Sequence, residues 1–410
     1  MNVLHINQSD TGGGAGIAAY RLHQGLLNQG IDSKLLVGIR QTDDPRVARV
    51  PRRNYPLTGL LKNMTDAMGL NYVSHLATWK IPSHKFYQEA DILNFHNLHS
   101  GYFNYLFLPH LTRNKPAIYA LHDMWSFTGH CAYSFDCNRW QVGCGQCPYP
   151  DTYPTIKRDN TELEWKLKKW VYKQANLTIV TPSHWLASQV KLSILEKYPT
   201  YCIPHGIDIN IYIPLDQLEC RRCLRIEQYQ YILVTSALNL QDPRKGTDLL
   251  IKAINALSDA LKRDILILVM GDGGKNLKTQ LDCDVLPLGY INLDQLKVMV
   301  FSAADLFIFP TRGDIFGLVA QEAMACGTPT VAFNVGGVPD LVRPGITGEL
   351  AEPENPQDLA RKIEQLLVGS EARCKMSQNC REIAVKEYNL TLQAQRYIDL
   401  YQQVLADFRG

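Results

Sequence analysis

The chain has 410 residues, 46% of them hydrophobic, and a formal net charge of +2. That length predicts two or three domains, and that apolar content is ample for globular cores. The near-neutral charge argues against a nucleic-acid protein, which would be clearly basic, and no apolar run reaches the roughly 20 residues that a membrane-spanning helix needs. The opening residues show no basic segment followed by an apolar one, so a cytoplasmic protein without a secretory leader is expected. Eleven cysteines cannot all pair, which makes a reducing compartment the simpler assumption. The sequons at Asn63, Asn176 and Asn389 then read as coincidence.

A buried strand is predicted over 3–6. Thr11-Gly-Gly-Gly-Ala-Gly16 follows, then a helix over 17–29 with Ala18, Leu22 and Leu26 in one stripe, closed by Gly30, and a second strand over 31–38. A dehydrogenase fingerprint fits this opening poorly, because the glycines run GGGAG and no acid ends the second strand. A tight turn needing positive φ is the plain reading of those glycines. Residues 41–80 have no clear period and carry Arg46, Arg49, Arg52 and Arg53. A strand over 91–96 runs into the polar turn Asn97–Ser100. Another over 117–121 delivers His122 and Asp123 at its carboxyl end, where open parallel sheets hold their ligands. Cys131, Cys137, Cys144 and Cys147, with His130, could hold a structural zinc. Free buried thiols or a disulfide stay open, since the spacing is not that of a standard ribbon and Cys220 and Cys223 compete.

Residues 161–175 predict an amphipathic helix with Leu163, Leu167, Trp170 and Val171 on one face and Lys166, Lys168, Lys169 and Lys173 on others. It either packs on the core with a solvated basic side or rests on an anionic membrane surface. A strand over 177–180 precedes a helix capped at Ser183.

A domain boundary is placed just after Ile203–Asp208, followed by an exposed charged linker over 214–228. The second half repeats the alternation of strand and helix, which predicts an α/β fold throughout. Strands are expected over 231–236, 265–270, 305–310 and 330–333, with helices over 247–257 and 294–304. Arg244 and Lys245 sit in the loop after the first of these strands, where a cation would meet phosphate. Gly271-Asp272-Gly273-Gly274 ends the next and would lie along a nucleotide. The pair Asp282 and Asp284 is set aside as a metal motif because its context does not fit. Asp314 lies in the loop before a helix entered at about Phe316-Gly317, and Glu322 lies about one turn inside it. The free N–H groups of Gly317, Leu318 and Val319 favour an anion there. Two acids for sugar hydroxyls and a helix N-terminus for phosphate point to a nucleotide-sugar site. A turn and helix start over 336–340 face the same place. A hairpin-like turn over 345–350, a helix from 355 onward and a last helix over 390–408 complete the chain.

The stretch Gly313 to Gly327, GDIFGLVAQEAMACG, with the Thr-Pro after it, resembles the acidic-x7-acidic signature of the family-4 retaining glycosyltransferases, with Asp314 where Glu is usual. HDMWSFTGHC, from His122 to Cys131, is similar to a subgroup acting in polysaccharide assembly, and Ile203–Asp208 resembles the family's hinge. The resemblance covers essentially the whole chain. It implies the GT-B fold, with two doubly wound Rossmann-like domains facing across a cleft: an acceptor-side domain at 1–206, a nucleotide-sugar domain at 207–386, and a helix at 387–410 packing back on the first. It also implies transfer of a hexose, with retention, from a UDP or GDP sugar to a glycan or lipid-linked acceptor, without a catalytic metal. His122 would take a positioning and proton-relay role near the transferred sugar. Lys245, with Arg244 in place of an arginine usually found earlier, would offset charge on the leaving diphosphate. Asp314 would hold sugar hydroxyls and Glu322 the ribose. Gly13, Gly14, Gly271, Asp272, Phe316, Gly317 and Leu318 complete the donor-binding set. The partners implied are a nucleoside-diphosphate sugar and a glycan, with peripheral contact at the inner membrane face and no nucleic acid. A sugar-nucleotide epimerase on the same fold, or a non-catalytic nucleotide-sugar or glycan-binding protein, are the rival readings.

Overall fold

A computed structural model describes residues 1–51, 63–65 and 67–409. The expected basic residues Arg52 and Arg53 lie outside the described residues. The chain divides into two compact units, Met1–Gly206 with Leu390–Gly410, and Ile207–Asn389.

The first unit carries a seven-stranded sheet: β1 (Asn2–Ser9), β2 (Asp32–Ile39), β3 (Val47–Arg49), β4 (Ile92–Phe95), β5 (Ala117–Ala120), β6 (Thr178–Thr181) and β7 (Thr200–Cys202). Their order is β3-β2-β1-β4-β5-β6-β7, and every pairing is parallel. The central strands β4, β5 and β6 are buried along their whole length, as strands covered on both faces must be. The first helix is Gly13–Asn28, so the glycine tract supplies its opening turn and the helix starts four residues before the predicted Ile17. The last helix, Leu390–Arg409, packs on this unit. Its Ala394, Tyr397, Ile398 and Tyr401 share one core with Leu22, Leu26, Val3 and Ile92. Gly25 permits that approach, since a Cβ there would lie 3.1 Å from the Leu390 side chain.

The second unit carries β8 (Tyr231–Asn239), β9 (Ile265–Asp272), β10 (Asp284–Gly289), β11 (Leu306–Phe309), β12 (Thr330–Phe333) and β13 (Gly348–Ala351), ordered β10-β9-β8-β11-β12-β13 and again all parallel. Both units are therefore doubly wound Rossmann-like sheets. Three local expectations change. The predicted hairpin at 345–350 is instead the entry to β13, which pairs parallel with β12. The predicted linker holds a helix, Gln217–Leu224, whose Arg221 is buried and bonds Asp305 at 2.8 Å. On the helix Thr161–Gln174, Leu163 and Trp170 are exposed, while Glu164 and Lys168 face inward.

Candidate active site

In each sheet the strand order reverses beside the first strand, and loops from either side of that point are forced together. In the second unit the strands there are β8 and β11, paired through Ile308 and Thr235. The loop after β8 holds Arg244 and Lys245 in a short 3-10 turn capped by Asp242. The loop after β11 holds Asp314. The two are sewn together: the Arg312 N–H donates to the Arg244 carbonyl at 2.8 Å, and the Thr311 hydroxyl donates to it at 3.1 Å. Gly246 makes this closeness feasible, because a Cβ there would stand 1.8 Å from the Pro310 carbonyl oxygen.

The sewing brings the Lys245 ammonium to 3.2 Å from Asp314 Oδ2. Burial pushes the Lys245 pKa down, against the pull of Asp314 and with that of Arg244. Burial alone would raise the Asp314 carboxyl. Lys245, then Arg244 and the Phe316 N–H, more than offset that and hold it below the usual carboxylate range. The Arg244 guanidinium faces Asp242 at 3.6 Å and is a third exposed. Arg312, the neighbouring cation, is occupied by a two-toothed pair with Asp248 and a contact to Glu354. Arg244 and Lys245 are thus the cations of this turn that stand nearest Asp314.

The helix after Asp314 is Leu318–Ala325, with Gly317 as its N-cap at φ +95°. Gly317 and Leu318 open its first turn, where N–H groups have no acceptor within the helix. The Phe316 ring is buried in the core against Tyr388, and its N–H donates to Asp314 Oδ1 at 3.2 Å, which fixes the Asp314 carboxylate. Glu322 is buried on the same helix, with Lys297 Nζ 3.9 Å from its Oε2. Lys297 lay on a helix whose pattern gave no sign of this role. The Gly337 N–H donates to the Asp314 carbonyl at 2.9 Å, so the turn after β12 does close on this place. Gly271 and Asp272 end β9, and the Asp272 carbonyl accepts from the Leu240 N–H at 3.0 Å, which seats that glycine turn on the loop leading to Lys245.

Gly13, Gly14 and His122 belong to the first unit. Gly13 and Gly14 are exposed at the start of the first helix. His122 stands two residues beyond β5 and lies 2.8 Å from His96 Nδ1 through its Nε2. Burial, reinforced by His99, outweighs the attraction of Asp123 and lowers its pKa to about 4. Asp123 heads a second chain that the sequence did not disclose. Its Oδ2 lies 2.7 Å from His99 Nε2, His99 Nδ1 lies 2.7 Å from the Ser100 hydroxyl, and Ser100 lies 2.7 Å from the Tyr153 hydroxyl. Only the polar turn at 97–100 hinted at it.

Cys131, Cys137, Cys144 and Cys147 line one cavity of about 20 Å³ with His130, whose Nε2 is 3.1 Å from Cys147 Sγ. All eleven cysteines are free. Among the described residues no three His, Cys, Asp or Glu side chains are placed to hold a metal ion together. Burial pushes the Cys131 thiol up to about 12 and the Cys144 thiol up to about 11, as apolar surroundings do to any uncompensated thiolate.

Residues 224–383 match the family described as glycosyl transferases group 1, and residues 12–211 match glycosyltransferase family 4. A D-inositol 3-phosphate glycosyltransferase of Saccharomonospora viridis is 30% identical over 220 residues, 50% of each chain, so the match spans about half the length of that relative. The putative colanic acid biosynthesis glycosyl transferase WcaC of Escherichia coli K12 is 23% identical over 431 residues, 98% of this chain and 100% of its own. The structure of Anabaena Alr3699/HepE in complex with UDP-glucose has the same fold. It aligns with TM-score 0.67 over 98% of this chain and 100% of its own, at 18% identity.

Proposed function

This chain belongs to the glycosyltransferases of group 1 and family 4, and from that premise we propose that it moves a hexose from a nucleoside-diphosphate sugar to a hydroxyl of a glycan or lipid-linked acceptor in polysaccharide assembly. The observation that carries this reading is the joining of Lys245, Arg244 and Asp314 at the mouth of the helix opened by Gly317. Two cations and the amide end of a helix suit a diphosphate, and their attraction grows as negative charge develops on the leaving group. They supply the positive potential for which other transferases use a divalent cation. Asp314 is held by Lys245 and the Phe316 N–H, so its role is to grip sugar hydroxyls rather than to attack carbon. Front-side displacement with retention of configuration then follows from positioning alone. Glu322 takes the ribose.

UDP is favoured over GDP as the carrier by the likeness to the HepE structure, which holds UDP-glucose. The likeness to WcaC supports a polysaccharide acceptor. No helix of the described residues is long and apolar enough to cross a membrane. The exposed Trp170 and Leu163, flanked by the exposed Lys166, Lys169 and Lys173, would let the first unit rest on an anionic lipid surface that carries the acceptor. Calorimetric titration with UDP-glucose, UDP-galactose and GDP-mannose tests the core of this reading. One of them is expected to bind wild type and to bind Lys245→Ala much more weakly. Failure of all of them to bind a folded wild-type protein would sink it.

A further inference from the structure

Between β5 and the helix Thr161–Gln174 the chain runs from Gly129 to Asn160 with one regular element, a 3-10 turn at Arg139–Gln141. So long an irregular stretch is uncommon inside a compact domain. Within it Phe135, Cys144 and Gln146 stand at φ of +51°, +53° and +47°. Left-handed backbone at residues other than glycine is costly and persists where the surroundings over-determine it. Cys131, Cys137, Cys144 and Cys147 converge on one cavity of this stretch. Its volume of about 20 Å³ has room for a single ion and none for a cluster of several.

The groups around these sulfurs suit thiolates better than thiols. The Gly129 N–H donates to Cys144 Sγ at 3.2 Å, and the Tyr149 N–H donates to the Cys147 sulfur. His130, 2% exposed, gives its Nδ1–H to the Pro154 carbonyl at 2.9 Å, because a carbonyl can only accept. Its bare Nε2 then faces Cys147 Sγ at 3.1 Å and holds that side chain at the cavity. Two cations act on the same sulfurs. The enclosed Lys168 ammonium bears on Cys131 and Cys144, and the Arg139 guanidinium bears on Cys147. Arg139 also donates to the carbonyls of Gly145 and Gln146, at 2.9 and 2.7 Å, and so ties down the turn that joins Cys144 to Cys147. Four thiolates around a divalent ion leave two negative charges, and these two cations offset them. Four neutral thiols would call for neither.

We propose that Cys131, Cys137, Cys144 and Cys147 bind one zinc ion as thiolates, and that the ion staples the stretch 129–160 to the first unit. Soft sulfur ligands select zinc over magnesium or calcium, and a closed set of four leaves no position open for chemistry, so the ion is structural. In the arrangement described no three of these side chains meet at one point, so loading draws the sulfurs inward to about 2.3 Å from the ion. Burial keeps the free thiols protonated, and the metal displaces their hydrogens to solvent. Cys220 and Cys223, the competing pair in the sequence, lie on the helix Gln217–Leu224 of the second unit and take no part. The site is independent of the function proposed above.

The test uses the full chain without a histidine tag. Metal analysis after dialysis is expected to find one zinc per chain, lost in Cys144→Ser and in Cys147→Ser and kept in Cys220→Ser and Cys223→Ser. Should the first two variants fail to fold, wild type decides alone: exchange of zinc for cobalt is expected to give the sulfur-to-cobalt charge-transfer band and the visible bands of a tetrahedral site. Folded wild type with no zinc and no such bands overturns the proposal, and so does zinc that survives in a folded Cys144→Ser/Cys147→Ser double variant. Cobalt bands without sulfur charge transfer mean an adventitious ion only, and a disulfide between two of the four cysteines in the intact mass excludes the four-thiolate set; either result overturns it. Stripping the metal is expected to open 129–160 to limited proteolysis, and an unchanged cleavage pattern in the stripped protein overturns the stapling role.

Discussion

Lys245 and Asp314, 69 residues apart in sequence, meet at 3.2 Å because they leave adjacent strands at the reversal point of one sheet. The acid is held charged and the base is desolvated, which is the state that a ligand phosphate would exploit. Replacing Lys245 by Ala removes a charge-assisted contact of about 1.5–3 kcal/mol, so UDP-sugar affinity should fall roughly 10- to 100-fold. Asp314→Asn should leave nucleotide binding nearer to wild type and depress turnover more. Titration calorimetry with UDP beside steady-state turnover separates the two effects.

Glu322 sits at a buried position that faces Lys297. Glu322→Ala removes the acceptor proposed for ribose hydroxyls and should weaken UDP binding roughly 10- to 100-fold, with Glu322→Gln in between. A free phosphate or pyrophosphate probe, which has no ribose, should bind all three proteins alike. A parallel loss of pyrophosphate would assign Glu322 to the diphosphate instead.

Gly246→Ala should unfold the second unit more readily, by about 2–4 kcal/mol. Its φ is +66°, and its new methyl would stand 1.8 Å from the Pro310 oxygen. The readout is the urea midpoint of that unit, together with the loss of Lys245-dependent binding.

Lys168 is enclosed, donates to the carbonyls of Trp125 and Thr128 at 2.6 and 2.9 Å, and lies 3.6 Å from the Trp125 ring centroid. Burial lowers its pKa to about 8, against the pull of Glu164. The unfolded lysine titrates near about 10.4, so between about pH 8 and 10 the unfolded chain binds more protons and stability should rise with pH. Lys168→Met should abolish that slope in urea titrations at pH 7.5 and 9.5. Lys168→Ala should cost about 3–5 kcal/mol by stranding the carbonyls and Glu164.

The thiols around His130 should resist alkylation near neutral pH, since burial keeps Cys131 and Cys144 protonated. Cys223 and Cys374 are exposed and should react first with iodoacetamide. Peptide mass mapping over time gives the order.

The parts of this site that were legible in sequence are those carried by contiguous residues. Asp314, Gly317 and Glu322 fall within nine positions of one loop and helix, and Lys245 precedes a glycine that opens another. What stayed hidden depends on partners far along the chain. Periodicity assigns a lysine such as Lys168 to solvent, because nothing within the helix announces two carbonyls some 40 residues upstream. Arg221 looked like part of a linker because its partner, Asp305, is 84 residues away. Residues 345–350 looked like a hairpin because a parallel strand finds its partner out of sequence order. The first helix began early because glycines that read as a turn can also open a helix, with Gly13 at φ +68° supplying the bend.

The return of the last helix to the first unit has a practical consequence for dissecting the protein. Neither half is a single stretch of chain: one is built from both ends, the other is an insert between Gly206 and Leu390. A fragment stopped at Gly206 would leave Leu22, Leu26 and Asn94 without the aromatic and hydroxyl groups of Tyr397 and Tyr401 that cover them. A faithful excision would instead remove residues 207–389 and splice the flanking ends with a short connector, whereas the insert could be expressed as one uninterrupted piece.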